Sequence, residues 1–207
     1  MSVGTVRRLA RDNRGVAFIE FALGLPLLLG ATMMGLEVAW MALANQKVNQ
    51  LAAQAADNAA RVTGTIDETS ISEIMTAARL NGDKMGFVEH GGVVISSIQL
   101  NDKKNGQWIR WQRCYGQNAP KSSYGVEGKG KTDSSLDGIG SKAPKMKAPA
   151  GVAIIVAEVQ YQYQPLITDA LYGKPILKAE TAYVVRQRND LSLTNTTNLP
   201  ASKKMTC

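Results

Sequence analysis

Gly15, Val16 and Glu20 are the residues whose types and spacing suggest a defined chemical event. Hydrolysis after Gly15 would leave Val16 with a free ammonium. Glu20, fifth in the new chain, carries the carboxylate that neutralises it, in its own subunit or in a neighbour. Burying such a pair costs far less than burying either charge alone. Left alone, a carboxylate in an apolar helix costs several kcal/mol unless it pairs, protonates or reaches the interface. Headgroup depth, one turn inside the boundary, is the simpler account of Glu20.

Other candidate chemistry is thinner. His90, the sole histidine, sits beside Gly91-Gly92 at an expected turn. G-x-S-x-G and H-E-x-x-H are absent, and GVEGKGK at 125–131 lacks the spacing of a phosphate-binding loop. Asn118, Asp133 and Asp137 supply oxygens suited to calcium, but at no EF-hand spacing. No acid/base or nucleophile set assembles, so the chain reads as a non-enzyme with no resident cofactor. Lys121, Lys129, Lys131, Lys142, Lys145 and Lys147 cluster in one stretch where Tyr124 is the only interleaved aromatic. Base stacking needs more, and no nucleic-acid partner is expected.

The elements that position Gly15 and Glu20 begin with a charge asymmetry. The 207-residue chain carries +7, and Arg7, Arg8, Arg11 and Arg14 precede Gly15 with Asp12 as the only carboxylate. Val16 to Leu36 then holds a single charge, Glu20. As a helix this run spans ~32 Å, matching a hydrocarbon core of ~30 Å. The arginines place the arm in the cytoplasm and the remainder outside. A secretory signal peptide would have a shorter apolar core. The domain reading is a basic leader over 1–15, a transmembrane helix over 16–41 and an exported domain over 42–207.

Trp40 marks the far interface, and the helical pattern continues. Val48, Leu51, Ala52, Ala55, Ala59 and Val62 form one narrow stripe, unbroken until Gly64. Asp67-Glu-Thr-Ser offers caps for a second helix, roughly 70–80. Strands follow at 93–100 and 107–114 around the turn NDKKNG, then at 152–163 and 176–188. The third places Ala153, Ile155, Ala157, Val159, Tyr161 and Tyr163 on one face and Glu158, Gln160 and Gln162 on the other. The fourth alternates through Ala179, Thr181, Tyr183 and Val185. The fold class is therefore α+β: a long N-terminal helix packed on a mostly antiparallel sheet of about four strands. Residues 116–149, rich in Gly, Ser, Lys and Pro, read as a flexible surface loop. Trp108, Trp111 and Tyr115 lie on the second strand, with Trp108 and Tyr115 on opposite faces and one face in the core. Cys114 and Cys207 lack metal-ligand spacing and, in an exported domain, become a disulfide candidate.

A basic arm, glycine, four apolar residues, glutamate and an aromatic (RRLARDNRG then VAFIEF) resemble a class III prepilin processing site. The continuation, with Pro26 six residues after Glu20 and the pair Gly35 and Glu37, resembles TadE-like minor pilins (pseudopilins) of tight-adherence (Tad, type IVc) pilus systems. The resemblance implies Gly15 before the cut, Val16 as mature N-terminus, Glu20 as assembly carboxylate and Phe21 as its companion aromatic. It further implies a helix kink at Pro26, and helix packing at Gly24, Gly30, Gly35 and Glu37. The implied fold is pilin-like. The implied partners are a prepilin peptidase, an ATPase-driven assembly platform, other minor pilins and the major pilin. The implied location is the bacterial inner membrane with a periplasmic domain, and beyond it the extracellular pilus. The alternative is a permanently anchored periplasmic binding protein whose Gly15–Glu20 spacing is accidental.

Overall fold

A computed structural model describes residues 15–170 and 172–207; the basic leader before Gly15 lies outside them. Helix α1 runs from Val16 to Arg61, 46 residues or ~70 Å. Its first half is exposed apart from half-buried Gly30 and buried Glu37, and the second half buries the expected stripe, with Val48, Leu51, Ala52, Ala55, Ala56, Ala59 and Ala60 facing inward. Small alanines let a helix axis approach a sheet closely. Val62, the last of the stripe, is half-buried against the same core.

Ile66–Asp67 forms a two-residue strand, β1, followed by α2 at Glu68–Gly82 and a single turn, α3, at Phe87–His90. Four strands complete the domain: β2 (Gly91–Leu100), β3 (Gln107–Tyr115), β4 (Ala153–Gln162) and β5 (Ile176–Val184). Their order is β3-β2-β4-β5, and every neighbouring pair is antiparallel. The α+β class and the helix-on-sheet packing are thus as the sequence implies. On the helix side, Val93, Ile95, Trp111, Ile155, Ala157, Val159 and Tyr161 meet α1 and α2. Ala179, Thr181 and Tyr183 of β5 stand opposite Val159, Ala157 and Ile155, as their alternation requires.

Residues 116–149, expected as a flexible surface loop, form neither a helix nor a regular strand, yet they are packed. Tyr124, Leu136, Ile139 and Ala148 bury themselves against Ile98, Ile109, Ile154 and Val156 on the sheet face away from the helices. The domain therefore has a second, smaller core. Gly92 and Gly116 (φ +99°) let this segment start across the end of β2, because a Cβ on Gly92 would fall 2.4 Å from the Ala119 Cα.

The same segment and the C-terminal tail cover the free edge of β3. Ile109 N–H donates to the Lys129 carbonyl, Gln112 N–H to Glu127, and Cys114 N–H to the Met205 carbonyl. An edge strand so occupied cannot template pairing with another chain. A disulfide joins Cys114 to Cys207, with Cα atoms 4.9 Å apart. The tail also returns as β6 (Leu193–Thr194), parallel to β1, a pairing the sequence did not announce.

Asp67 stands where β1, β6 and α2 meet. Its carboxylate caps α2 by accepting from Thr69 N–H, and it accepts from the backbone and hydroxyl of Thr196. The Thr69 N–H, followed by the Thr196 donors, holds this carboxyl far below the usual carboxylate range. A depressed folded pKa stabilises the fold above the unfolded value of about 4, and that stability is lost as pH falls through the folded value. Asp67→Ala should cost about 1–2 kcal/mol at neutral pH, the usual loss of a helix cap. It should also flatten the decline in stability below pH ~4. Urea unfolding of both chains between neutral and strongly acidic pH checks this; parallel curves would contradict it.

Candidate functional site

The candidate site is the first half of α1, as distinct from the second half on which the chain's own domain docks. At about 100° per residue, Glu20, Gly24 and Gly35 fall within about 60° of one another. Glu37 lies about 100–160° away from all three, in line with Val48 and Ala55. That second line lies within the broader arc, from Leu51 round to Ala60, on which the chain's own domain docks. Glu20, Phe21, Gly24 and Gly35 are exposed, and a Cβ at Gly24 or Gly35 would meet nothing within 4 Å. Neither glycine is required by packing inside the chain. Gly30, grouped with them by sequence, instead falls about 20° from Glu37 and is half-buried.

Gly15 is exposed with φ −84° and ψ −13°, and α1 begins at Val16 without a side-chain cap. Val16 and Glu20 are four residues apart and share a helical face, one turn from each other. The arrangement can therefore hold an N-terminal ammonium at Val16 against Glu20, or against Glu20 of an adjacent helix. Helix α1 continues through Pro26 without interruption. The missing Pro26 N–H leaves the Ala22 carbonyl without its helical donor, so this turn is the weakest in the segment.

Glu37 does something its sequence context did not reveal. It is 1% exposed, and it accepts from the Tyr163 hydroxyl at 2.5 Å, Ile167 N–H at 2.9 Å and Leu166 N–H at 3.2 Å. A buried carboxylate is tolerable because three donors satisfy it. The result ties the β4–β5 connection to the helix just past its apolar half. Tyr163, fully buried at the end of β4, was the available signal: a hydroxyl on the core side of an alternating strand needs a partner.

A second polar cluster locks the domain. Arg113 donates to both oxygens of Glu68 at the start of α2, and to Glu127 in the covering segment at 2.9 Å. Charge in the inward-facing run of β3 hinted at it; the partners lie 45 and 14 residues away.

The remaining candidates disperse. Asn118 donates to the Glu89 carbonyl, Asp133 accepts from Ser135 N–H, and Asp137 pairs with Lys145 at 2.6 Å. His90 ends α3, half-buried next to Gly86. Trp108 is flanked by Arg110 and Lys131 at 5.9 and 5.6 Å from its ring, whereas Trp111 is core.

Fold and site together define a protein with one long apolar helix, its far half docked on an antiparallel sheet. Among the described residues, α1 is long and apolar enough to cross a membrane, and its apolar half is unburied, consistent with membrane anchoring. Residues 15–57 match the family model described as TadE-like protein, so the stretch from Gly15 through most of α1 is similar to that family. No curated protein and no solved structure matches the chain.

Proposed function

We propose that the chain is a minor pilin, a structural subunit that primes assembly of a Tad-type pilus or forms its tip after prepilin-peptidase cleavage. The observation that carries this reading is the TadE-like match beginning at Gly15, the residue before the inferred cut. Geometry supports it: the domain docks on the second half of α1 and leaves Glu20, Gly24 and Gly35, in the first half, exposed. Removal of residues 1–15 would create the Val16 ammonium, which Glu20 neutralises as helices pack. Gly24 and Gly35 let a neighbouring helix approach closely. Pro26 supplies a turn that can kink or unwind when the helix leaves lipid for the packed filament.

In this reading the leader is cytoplasmic, α1 crosses the inner membrane to about residue 41, and the domain is periplasmic until assembly. The Cys114–Cys207 bond suits that oxidising side. The partners are the prepilin peptidase, the assembly platform, other minor pilins and the major pilin. Contacts are made through helix packing and one charge pair, with no catalytic step by this chain. Deleting the chain from cells that make it should abolish surface pili while the major pilin is still synthesised, and complementation should restore them. Undiminished piliation in the deletion strain would contradict the proposal.

A further inference from the structure

Glu37 fixes the height of the β4–β5 connection relative to the membrane. From Val16 to Glu37 the helix rises ~32 Å, about the thickness of a bilayer's hydrocarbon core. The groups that Glu37 holds, Leu166 N–H and Ile167 N–H, are therefore pinned at the outer boundary of that core. Trp40, one turn further along α1 and partly exposed, stands at the depth where tryptophans gather.

The connection is built for that depth. Residues 163–168 read YQPLIT and carry no charge. Leu166 is 55% exposed and Ile167 41% exposed, although the backbone between them is tied down. Backbone donors near lipid must be satisfied from within the protein. Here Pro165 has no N–H, those of Leu166 and Ile167 go to Glu37, and that of Tyr163 goes to the Pro175 carbonyl.

Resting on the reading that the first half of α1 spans the bilayer, we propose that the β4–β5 connection is an interfacial foot. Leu166 and Ile167 insert at the headgroup–acyl boundary of the leaflet nearest the domain and seat it on the lipid surface. The foot is continuous with the apolar surface of α1, so one lipid-facing surface runs from the helix onto the domain. Glu37 is the positioning residue: it holds the loop tip without itself meeting lipid. The seating fixes the domain's tilt before extraction into a filament, and assembly must lift the foot along with the helix.

The test is the depth of spin labels on the full chain, its Cys114–Cys207 disulfide intact, in vesicles of phosphatidylethanolamine and phosphatidylglycerol. Labels are placed by Leu166→Cys, by Leu28→Cys in the apolar half of α1, and by Ser134→Cys on the far side of the domain. Collision rates with oxygen and with a water-soluble nickel chelate are then compared. The Leu28 position should be shielded from nickel and open to oxygen, and Ser134 the reverse. Leu166 should show a several-fold loss of nickel collisions relative to Ser134, independent of the protein-to-lipid ratio. Full nickel access at Leu166 with Leu28 shielded would overturn the foot while leaving the spanning helix intact. Shielding that grows with protein density, with dipolar broadening, would overturn it in favour of a contact between copies. Nickel access at Leu28 would instead remove the spanning reading, and the foot with it.

Discussion

Arg113→Ala is expected to destabilise the domain by about 3–5 kcal/mol, because it strands a buried carboxylate. The Glu68 side chain is 5% exposed and the Arg113 side chain 10% exposed, so neither charge has water to fall back on. Their opposite-charge contact is bidentate, the geometry in which guanidinium and carboxylate bond most strongly. Glu127 adds a more exposed third partner, whose loss alone should cost less than 1 kcal/mol. Through Glu68 and Glu127, Arg113 of β3 joins α2 and the segment covering the second core. Its removal should therefore loosen the segment as well as lower the unfolding midpoint. Urea unfolding with hydrogen exchange at Ile109 and Gln112 checks both parts. A double variant, Arg113→Met with Glu68→Leu, should recover most of the loss, since a well-packed apolar pair often replaces a buried ion pair at little cost. A loss below ~1 kcal/mol in Arg113→Ala would refute the assignment.

Glu20→Gln should leave cleavage after Gly15 intact and abolish entry into pili, the largest functional effect of any single change considered. Glutamine keeps size and helix propensity but cannot neutralise the Val16 ammonium. An unpaired buried ammonium costs several kcal/mol per subunit, and each incorporated subunit meets that cost. Because Glu20 is exposed on α1, the domain's own unfolding midpoint should not move. Immunoblots of sheared pili and of membranes separate the cases: variant in membranes only is the expected result. Normal amounts in sheared pili would mean that Glu20 is simply tolerated at headgroup depth.

Much of the fold was legible because its signals are local and periodic. Nothing between Val16 and Arg61 interrupts the helix, and the stripe from Val48 to Ala59 already marks the docking side. Alternation in 152–163 sorted Ile155, Ala157 and Val159 onto the helix-facing side correctly. It also treated the opposite side as polar, on the evidence of Glu158, Gln160 and Gln162, while Ile154 and Val156 lie in the second core. That core was illegible because Tyr124, Leu136, Ile139 and Ala148 have no common period; irregular backbone brings them together. The pairing of β1 with β6 joins two residues to two residues across 127 positions, too little pattern to read. At the site, the expectation for Gly15, Val16 and Glu20 rests on type and spacing, and α1 leaves all three exposed at its start. Glu37 was visible only as half of a Gly-x-Glu pair, since its partners become neighbours only when β4 ends beside α1.

The central claim is that the chain is cut after Gly15, giving Glu20 an ammonium to neutralise. The most direct measurement is the intact mass of the membrane-extracted chain, made with and without an active prepilin peptidase. With peptidase, the account predicts loss of Met1–Gly15 and a mature chain beginning at Val16; without it, the full-length mass. A full-length mass in the presence of demonstrably active peptidase would contradict the account and leave a permanently anchored protein in its place.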